Sequence, residues 1–386
     1  MKPSTDVIHR AEGSSRDAVP LTTPIYETTT FLFDTAEEVR AYNTGHSSKF
    51  LYSRYGNPTV ASLQAKLAAL EGTEAALALS SGQAATTTAL LALTRAGDEI
   101  VCSSAIYGGT LHLIADLLPK FGITPRFVSL DDLARPDTIL SEATKVVWFE
   151  SPINPTLRCV DIAAVARACR ARGVISVLDN TFASPINQQP IALGVDIVMH
   201  SATKYLNGHS DVTAGALAGP ARLIEPIFQA QKMLGTILDP AAAYAVARGL
   251  KTLAVRVERH NANAMAVAEW LAKDPRVQAV LYPGLAGHPD HAIATRQMRG
   301  FGGMVCVDVG GGYEGAARFF DRLRIFKRAA SLGGVESLCS LPVLTSQWGL
   351  SAEELARAGV TDSMARLSVG LEDVEDLIAD LDQALG

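Results

Sequence analysis

Short apolar runs of β type alternate with longer helical runs between about residues 57 and 251, and this alternation restricts the fold more than any other feature. The strand-like runs are EAALAL, DEIVCS, PRFVSL, KVVWFE, GVISVLD and DIVMHSA. The helical runs are ASLQAKLAALEG, QAATTTALLALTRAG, LHLIADLLPKFG and IAAVARACRARG. Strands that alternate with helices in this way predict an α/β domain with a mainly parallel sheet and helices on both faces.

The segments on either side of this domain differ from it. Residues 1–56 are rich in Thr, Pro and Tyr without sustained helical period, which predicts an extended N-terminal arm. Residues 252–386 mix helical runs such as HNANAMAVAEWLAKD and SAEELARAG with alternating strands such as FGGMVCVDV and MARLSVGL. We therefore expect an arm (1–56), a large domain (57–251) and a smaller C-terminal α+β domain (252–386).

Composition narrows the class of protein. With 386 residues, 48% of them hydrophobic, the chain can bury a large core. The net charge is −6 and there is no basic block, so we expect neither a nucleic-acid nor a membrane partner. No apolar run approaches the roughly 18 residues of a membrane span, and we expect a cytoplasmic protein. Five widely spaced cysteines favour reduced core thiols over disulfides or a metal site.

Polar residues follow five strands of the predicted sheet. In an open α/β sheet, ligands bind beyond the carboxyl ends of the strands, so these residues describe one candidate site. In chain order they are Ser80-Ser81-Gly82-Gln83, Tyr107-Gly108-Gly109-Thr110, Ser151-Pro152-Ile153-Asn154-Pro155, Asp179-Asn180-Thr181 and Ser201-Ala202-Thr203-Lys204.

Two of these groups suit a phosphate. The segment Ser81-Gly82-Gln83 opens a helix, where unpaired N–H groups and the positive end of the helix dipole attract an anion. Ser201 and Thr203 add hydroxyl donors one and three residues before Lys204. The phosphate would therefore lie near an amine.

The remaining residues complete the requirements of pyridoxal 5′-phosphate (PLP). Lys204 supplies an amine for an imine, Asp179 a carboxylate for a pyridinium nitrogen, and Tyr107 a flat ring to stack on. Each feature alone has a simpler explanation: a helix cap, a turn residue, a packed aromatic side chain, a surface lysine. Their convergence on successive strand ends favours the cofactor.

The chain also resembles a known family. The resemblance runs from about residue 20 to the C-terminus, through YSRYGNPT (52–59), SSGQAA (80–85), YGGT (107–110), ESPINPT (150–156), DNTF (179–182), HSATKYLNGHSD (200–211), SLGGVESL (331–338) and RLSVGLED (366–373). These motifs are similar to those of the Cys/Met-metabolism PLP enzymes, the γ-subfamily of fold type I. This family includes methionine γ-lyase, cystathionine γ-lyase, cystathionine γ-synthase and the homoserine-ester sulfhydrylases.

The resemblance implies roles for matching positions. Lys204 would be the Schiff-base lysine and proton carrier, Asp179 would keep the pyridine nitrogen protonated, and Tyr107 would stack on the ring and assist proton transfer. The phosphate would be held by Gly82, Gln83, Ser201 and Thr203.

The resemblance also implies a shared site. Tyr52 and Arg54, in the arm, would complete the phosphate site of the adjacent subunit, which requires at least a dimer; the family habit is a homotetramer made of two such dimers. Arg366 would bind the α-carboxylate of an amino-acid substrate, helped by Ser331 and Asn154.

Three positions bear on the substrate. Where cystathionine-handling members of the family carry a glutamate and an arginine for the distal end of the substrate, this chain has Ala330 and His112. Methionine γ-lyases usually have a cysteine where it has Gly109. We therefore expect γ-elimination or γ-replacement on methionine, homocysteine or O-acetylhomoserine in preference to cystathionine. A cystathionine γ-lyase or γ-synthase, a β-lyase and a catalytically silent scaffold remain open alternatives.

Overall fold

The computed structural model describes residues 2–9 and 19–386. Its strands form two sheets. They are β1 (Ala75–Leu79), β2 (Glu99–Ser103), β3 (Thr124–Val128), β4 (Thr144–Glu150), β5 (Ile175–Asp179), β6 (Ile197–Ser201), β7 (Gly215–Gly219), β8 (Ala279–Leu281), β9 (Met304–Asp308), β10 (Lys327–Arg328), β11 (Leu338–Ser340) and β12 (Met364–Ser368).

The α-helices surround these sheets. They are α1 (Pro3–His9), α2 (Ala36–Asn43), α3 (Pro58–Glu71), α4 (Gly82–Leu93), α5 (Gly108–His112), α6 (Leu130–Leu133), α7 (Ile162–Ala171), α8 (Ser184–Asn187), α9 (Ala221–Leu234), α10 (Pro240–Leu250), α11 (Leu253–Leu271), α12 (His291–Gln297), α13 (Gly312–Arg322), α14 (Ala352–Arg357) and α15 (Val374–Leu385). A π-helical turn (Leu113–Leu117) and 3₁₀ turns (Leu118–Phe121, Pro136–Thr138 and Pro342–Leu344) complete the regular structure.

The larger sheet has seven strands in the order β1-β7-β6-β5-β4-β2-β3. Strands β2 to β6 run parallel to one another, whereas β7 is antiparallel to both β1 and β6. The prediction of a mainly parallel sheet is confirmed. The strand prediction omits β7, whose sequence GALAG begins and ends with glycine, a residue that is depleted in strands. Gly215 is nonetheless required there, since a Cβ atom would lie 2.0 Å from the carbonyl oxygen of Ser81.

Helices cover both faces of this sheet, as the alternating pattern predicts. Trp148 of β4 packs in a cluster with residues of α4 and α9, whereas its neighbour Phe149 packs on the other face with residues of α7. Both side chains are fully buried. Burying a large apolar side chain contributes roughly 1.5–3 kcal/mol to the free energy of unfolding, and β4 has one such side chain on each face of the sheet.

Two predicted boundaries differ from the structure. The run LHLIADLLPKFG predicts one helix over residues 111–122, but α5 ends at His112 and a π-helical and a 3₁₀ turn follow. Pro119, which lacks an N–H donor, lies at the start of the 3₁₀ turn. The run PRFVSL predicts a strand to residue 130, but β3 ends at Val128 because the Ser129 side chain caps α6.

The second sheet has five strands in the order β10-β11-β12-β9-β8, antiparallel except for the β10–β11 pair. It lies in the segment expected to form an α+β domain, and the division at residues 251 and 252 falls between α10 and α11. Within residues 1–56, the structure contains α1 and α2, and Thr30 forms an isolated bridge with Tyr52. The three-part domain division stays a prediction.

Two further expectations concern the described residues. All five cysteines are buried and form no disulfide, and burial raises the pKa of the Cys102 thiol well above its usual range. None of the helices in the described part of the chain combines the length and apolar character needed to cross a membrane.

Candidate active site

A cavity of about 550 Å³ lies at the carboxyl ends of the parallel strands, between the larger sheet and the segment around Ser331. Ten of the twelve residues predicted for the site line it. They are Gly82, Gln83, Tyr107, Asn154, Asp179, Ser201, Thr203, Lys204, Ser331 and Arg366. Eight of them were predicted from the segments that follow the strands, and Ser331 and Arg366 from the family resemblance, so residues predicted in two ways meet in one cavity.

Lys204 is half-buried at the loop that follows β6, and its Nζ donates to Ser331 Oγ at 2.8 Å. Burial, with a smaller contribution from the positive charge of Arg366, lowers the pKa of the Lys204 amine. Ser331 has a φ of 104°, a region that residues other than glycine rarely adopt. The Ser331 hydroxyl, which accepts the hydrogen bond from Lys204, is therefore positioned by a strained backbone.

Arg366 of β12 is buried, with 7% of its surface exposed. Its Nη1 donates to Asn154 Oδ1 at 2.9 Å and its Nη2 to the Ser331 carbonyl oxygen at 3.1 Å, whereas its Nε is buried without a partner. Within the described residues, no carboxylate pairs with this guanidinium. Burial lowers the pKa of Arg366, which reflects the cost of an uncompensated positive charge.

Two carboxyl groups lie side by side at the ends of β4 and β5, where Glu150 pairs in register with Asp179. Burial raises the pKa of Asp179, although the N–H of Thr181 donates to its Oδ1 at 3.0 Å. Burial and the neighbouring Asp179 raise the pKa of Glu150 above the ordinary carboxyl range. The pair would therefore be stabilised by a cation that approaches Asp179 from the cavity.

The amino end of α4 approaches β6 closely. Ser81 caps the helix, its Oγ accepting from Ala84 N at 2.9 Å, and the first N–H groups of a helix have no partner within it. A Cβ atom at Gly82 would lie 2.9 Å from Ser201 Cβ, so only glycine leaves this gap open. The Thr203 hydroxyl, by contrast, bonds with the backbone of Ala214.

The ring of Tyr107, 51% exposed, stands next to Gln83 at the cavity wall. Gln83 Nε2 donates to the carbonyl oxygen of Gly109 at 3.0 Å. A Cβ atom at Gly109 would lie 2.6 Å from Tyr107 Cε1 and 2.8 Å from Gln83 Oε1. The glycine therefore permits the observed positions of both side chains.

Tyr52 and Arg54 lie outside this cavity. Arg54 Nη1 donates to the carbonyl oxygen of Lys232 at 2.8 Å, and the guanidinium lies 4.8 Å from the ring centroid of Tyr55 and 5.6 Å from that of Tyr52. The structure of one chain thus does not bring these two residues together with the other ten.

The two positions expected to affect the distal end of the substrate differ in location. Ala330 lines the cavity. His112 is exposed, hydrogen-bonds Asp116 through Nδ1 at 3.0 Å, and lines a separate groove instead. Among the described residues that line the cavity, the charged side chains are Glu150, Asp179, Lys204 and Arg366.

One ionisable residue of the cavity, Glu150, was not predicted from the sequence. The segment considered after the run KVVWFE began at Ser151, whereas Glu150 is the last residue of β4 itself. Asp179 and Ser201 are likewise the last residues of β5 and β6, and treating β4 in the same way would have found Glu150. The apolar lining residues Phe182 and Met199 carry no such signal.

Comparison with known proteins agrees with the motifs. The family model for Cys/Met metabolism PLP-dependent enzymes matches residues 4–386. The chain belongs to that family. It is a PLP-dependent enzyme of sulfur amino acid metabolism, and its fold is that of the fold type I members of this family.

Individual members of the family that resemble the chain differ in activity. The chain is 42% identical to the L-methionine gamma-lyase of Pseudomonas putida, over 99% of this chain and 96% of that one. It is 43% identical to the chloroplastic cystathionine gamma-synthase 1 of Nicotiana tabacum, over 98% of this chain and 71% of that one. The crystal structure of cystathionine gamma-lyase from Lactobacillus plantarum complexed with L-serine superposes with a TM-score of 0.92, at 37% identity, covering 100% and 98% of the two chains.

Proposed function

We propose that this enzyme catalyses γ-elimination or γ-replacement on a sulfur amino acid or a homoserine ester. The observation that carries the proposal is the buried guanidinium of Arg366, whose Nε has no partner, in the same cavity as the Lys204 amine. A buried charge without a counter-charge is costly, so this site favours an anionic ligand. The α-carboxylate of an amino acid is such a ligand, and its α-amino group would then face Lys204.

The residues present fit PLP. The lowered pKa of Lys204 leaves more neutral amine at neutral pH, which condensation with an aldehyde requires. Asp179 lies beside a second carboxyl group and would pair with a protonated pyridine nitrogen. The amino end of α4, with Ser201 beside Gly82, would hold the phosphate. Bound PLP would supply an aldehyde for the amine and a ring that withdraws electrons from Cα.

We assign the proton transfers to this chain's own groups. Lys204, once displaced by substrate, would carry protons among Cα, Cβ and the leaving group. The Ser331 hydroxyl, 2.8 Å from Nζ, would hold the amine on the side of the cavity that Arg366 also faces. Tyr107 would stack on the cofactor ring, and its phenol would assist proton transfer. Gln83 and Thr203 would contribute to the phosphate site.

The charge distribution of the cavity supports a substrate with an uncharged distal end. Lys204, Asp179 and Arg366 would act at the cofactor or the α-carboxylate, and both oxygens of Glu150 accept from backbone N–H groups. Ala330 carries no charge, and His112 lines another groove. A distal amino-acid or succinyl group would leave unpaired charge on binding. Methionine, homocysteine and O-acetylhomoserine therefore fit better than L-cystathionine. A β-lyase of cystathionine or cysteine conjugates is the second candidate.

The position of Tyr52 and Arg54 supports a shared site. Neither lines the cavity of its own chain; Arg54 donates to the carbonyl oxygen of Lys232 in α9, and its guanidinium lies 5.6 Å from the ring centroid of Tyr52. We propose that they reach the phosphate of an adjacent subunit, so that the active unit is a dimer, and that two dimers form a homotetramer.

The reaction is tested on a panel of methionine, homocysteine, O-acetylhomoserine, cysteine and cystathionine. Release of a 2-oxo acid reports elimination, and formation of a γ-substituted amino acid after addition of a thiol reports replacement. A γ-lyase releases 2-oxobutyrate, whereas pyruvate as the main product would identify a β-lyase instead. Borohydride reduction followed by peptide mapping tests the cofactor site, and the adduct should lie on Lys204. The matched control is Lys145→Ala, an exposed lysine of β4, which should keep both adduct and activity. An adduct on another lysine would refute the assignment.

A further inference from the structure

Glu150 joins two loops of the active site. It is 6% exposed at the end of β4, and its Oε2 accepts from the N–H of Tyr107 at 3.1 Å while its Oε1 accepts from the N–H of Asn154 at 3.0 Å. Tyr107 follows β2 and Asn154 follows β4, two strands that are paired neighbours. One carboxyl group therefore fastens the backbone of both loops at the cavity edge.

Each residue held in this way supports a different ligand group. Tyr107 is the ring proposed to stack on the cofactor. Asn154 Oδ1 accepts from Nη1 of Arg366, the guanidinium proposed for the substrate carboxylate. The contacts thus form a continuous series from Tyr107 through Glu150 and Asn154 to Arg366. This series connects the cofactor platform with the carboxylate site.

Burial makes an ionised carboxyl group energetically unfavourable at this position. It is buried beside Asp179, and no lysine, arginine or histidine pairs with it among the described residues. Glutamine has nearly the same shape without the charge, but its amide has one acceptor oxygen and an NH₂ donor. One of the two backbone N–H groups would then face a donor. The need for two acceptors accounts for a group that burial otherwise disfavours.

We propose that Glu150 is a positioning residue, which sets the ring of Tyr107 and the guanidinium of Arg366 at the separation that the cofactor-bound substrate requires. It touches neither reacting atom and acts through the two backbone N–H groups that it holds. This inference rests on the proposed function, because it assigns the ends of the series to the cofactor ring and the substrate carboxylate.

The test compares Glu150→Gln and Glu150→Asp with a matched control, Glu99→Gln. Glu99 is a half-buried glutamate at the amino end of β2 that also accepts two hydrogen bonds, from Ser141 and Thr144, far from the cavity. The measurements are the Kd for PLP by fluorescence titration of the apoenzyme, KM and kcat for the best substrate, and the apoenzyme Tm.

Glu150→Gln should raise the Kd for PLP, the substrate KM, or both, by roughly tenfold, the usual effect of one unpaired buried donor. kcat should change less. Glu150→Asp keeps the carboxyl group and both oxygens but is one methylene shorter, so it should raise the same constants. Its result decides the case if the glutamine variant does not fold. Glu99→Gln should leave Kd and KM unchanged.

Two failures are distinguishable. If the wild-type enzyme neither releases a 2-oxo acid from any member of the panel nor forms a γ-replacement product when a thiol is added, the proposed function is wrong whatever the variants do. If the wild type is active, and the folded Glu150 variants have the Kd and KM of Glu99→Gln, Glu150 is not a positioning residue. If the variants lose both thermal stability and activity while Kd and KM stay unchanged, the inference is also wrong, and the role of Glu150 is purely structural.

Discussion

Arg366→Lys is the substitution whose effect the structure defines most closely. A guanidinium has five N–H donors, and two of them are engaged by Asn154 Oδ1 and the Ser331 carbonyl oxygen. The remaining three, including the buried Nε–H, can form a two-bond contact with a substrate carboxylate. Lysine keeps the charge but presents its donors on one atom, so it retains one of these two bonds.

The expected loss follows from that difference. A hydrogen bond to a charged group contributes about 1.5–3 kcal/mol, so kcat/KM for the amino-acid substrate should fall about 10- to 150-fold. Most of the change should lie in KM, because the carboxylate is bound before and during the chemical step. Steady-state 2-oxo acid release, with Tm measured in parallel, provides the assay.

The control for this substitution is Arg126→Lys. Arg126 is also a strand arginine that donates to a backbone carbonyl, that of Ile139 at 3.1 Å, but it is only half-buried and does not line the cavity. Its replacement should leave KM unchanged. If Arg366→Lys folds normally and changes kcat/KM by less than about threefold, which is about 0.7 kcal/mol, the carboxylate binds elsewhere.

Four other results are expected. Mixing Arg54→Ala and Lys204→Ala chains should restore partial activity, since hybrid dimers contain one intact site; inactive hybrids would show that the arm does not act in trans. kcat/KM for methionine, homocysteine or O-acetylhomoserine should exceed that for L-cystathionine. A tenfold preference for cystathionine, about 1.4 kcal/mol, would contradict the proposal that the substrate has an uncharged distal end. Arg366→Leu removes a positive charge that disfavours protonated Lys204, so the pKa of Lys204 should rise. The pH profile of PLP attachment to the apoenzyme should then move to higher pH. An unchanged profile would show that Arg366 does not affect the pKa of Lys204. Gly109→Ala should displace the Tyr107 ring and raise the Kd for PLP roughly tenfold. An unchanged Kd would show that the Tyr107 ring can move aside without affecting PLP binding.

Much of the site could be predicted from local sequence. Residues such as Asp179 and Lys204 follow runs whose length and apolar character predict buried strands, and the alternation with helices predicts that these strands are parallel. The carboxyl ends of parallel strands meet at one edge, so order along the chain becomes proximity in space. The family could also be recognised from the sequence, because each of its motifs is a contiguous run of residues.

The sequence alone therefore determined the kind of sheet, the edge at which the site lies and the types of group that meet there. Only the tertiary structure decided which partner each group has. The hydrogen bond between Arg366 and Asn154 joins residues 212 positions apart, and the one between Tyr107 and Glu150 spans 43 positions. The structure likewise shows that His112, the last residue of α5, lines a separate groove and not the cavity. Such contacts depend on strand register and side-chain direction, which are fixed by packing between distant segments and leave no periodic signal in the sequence.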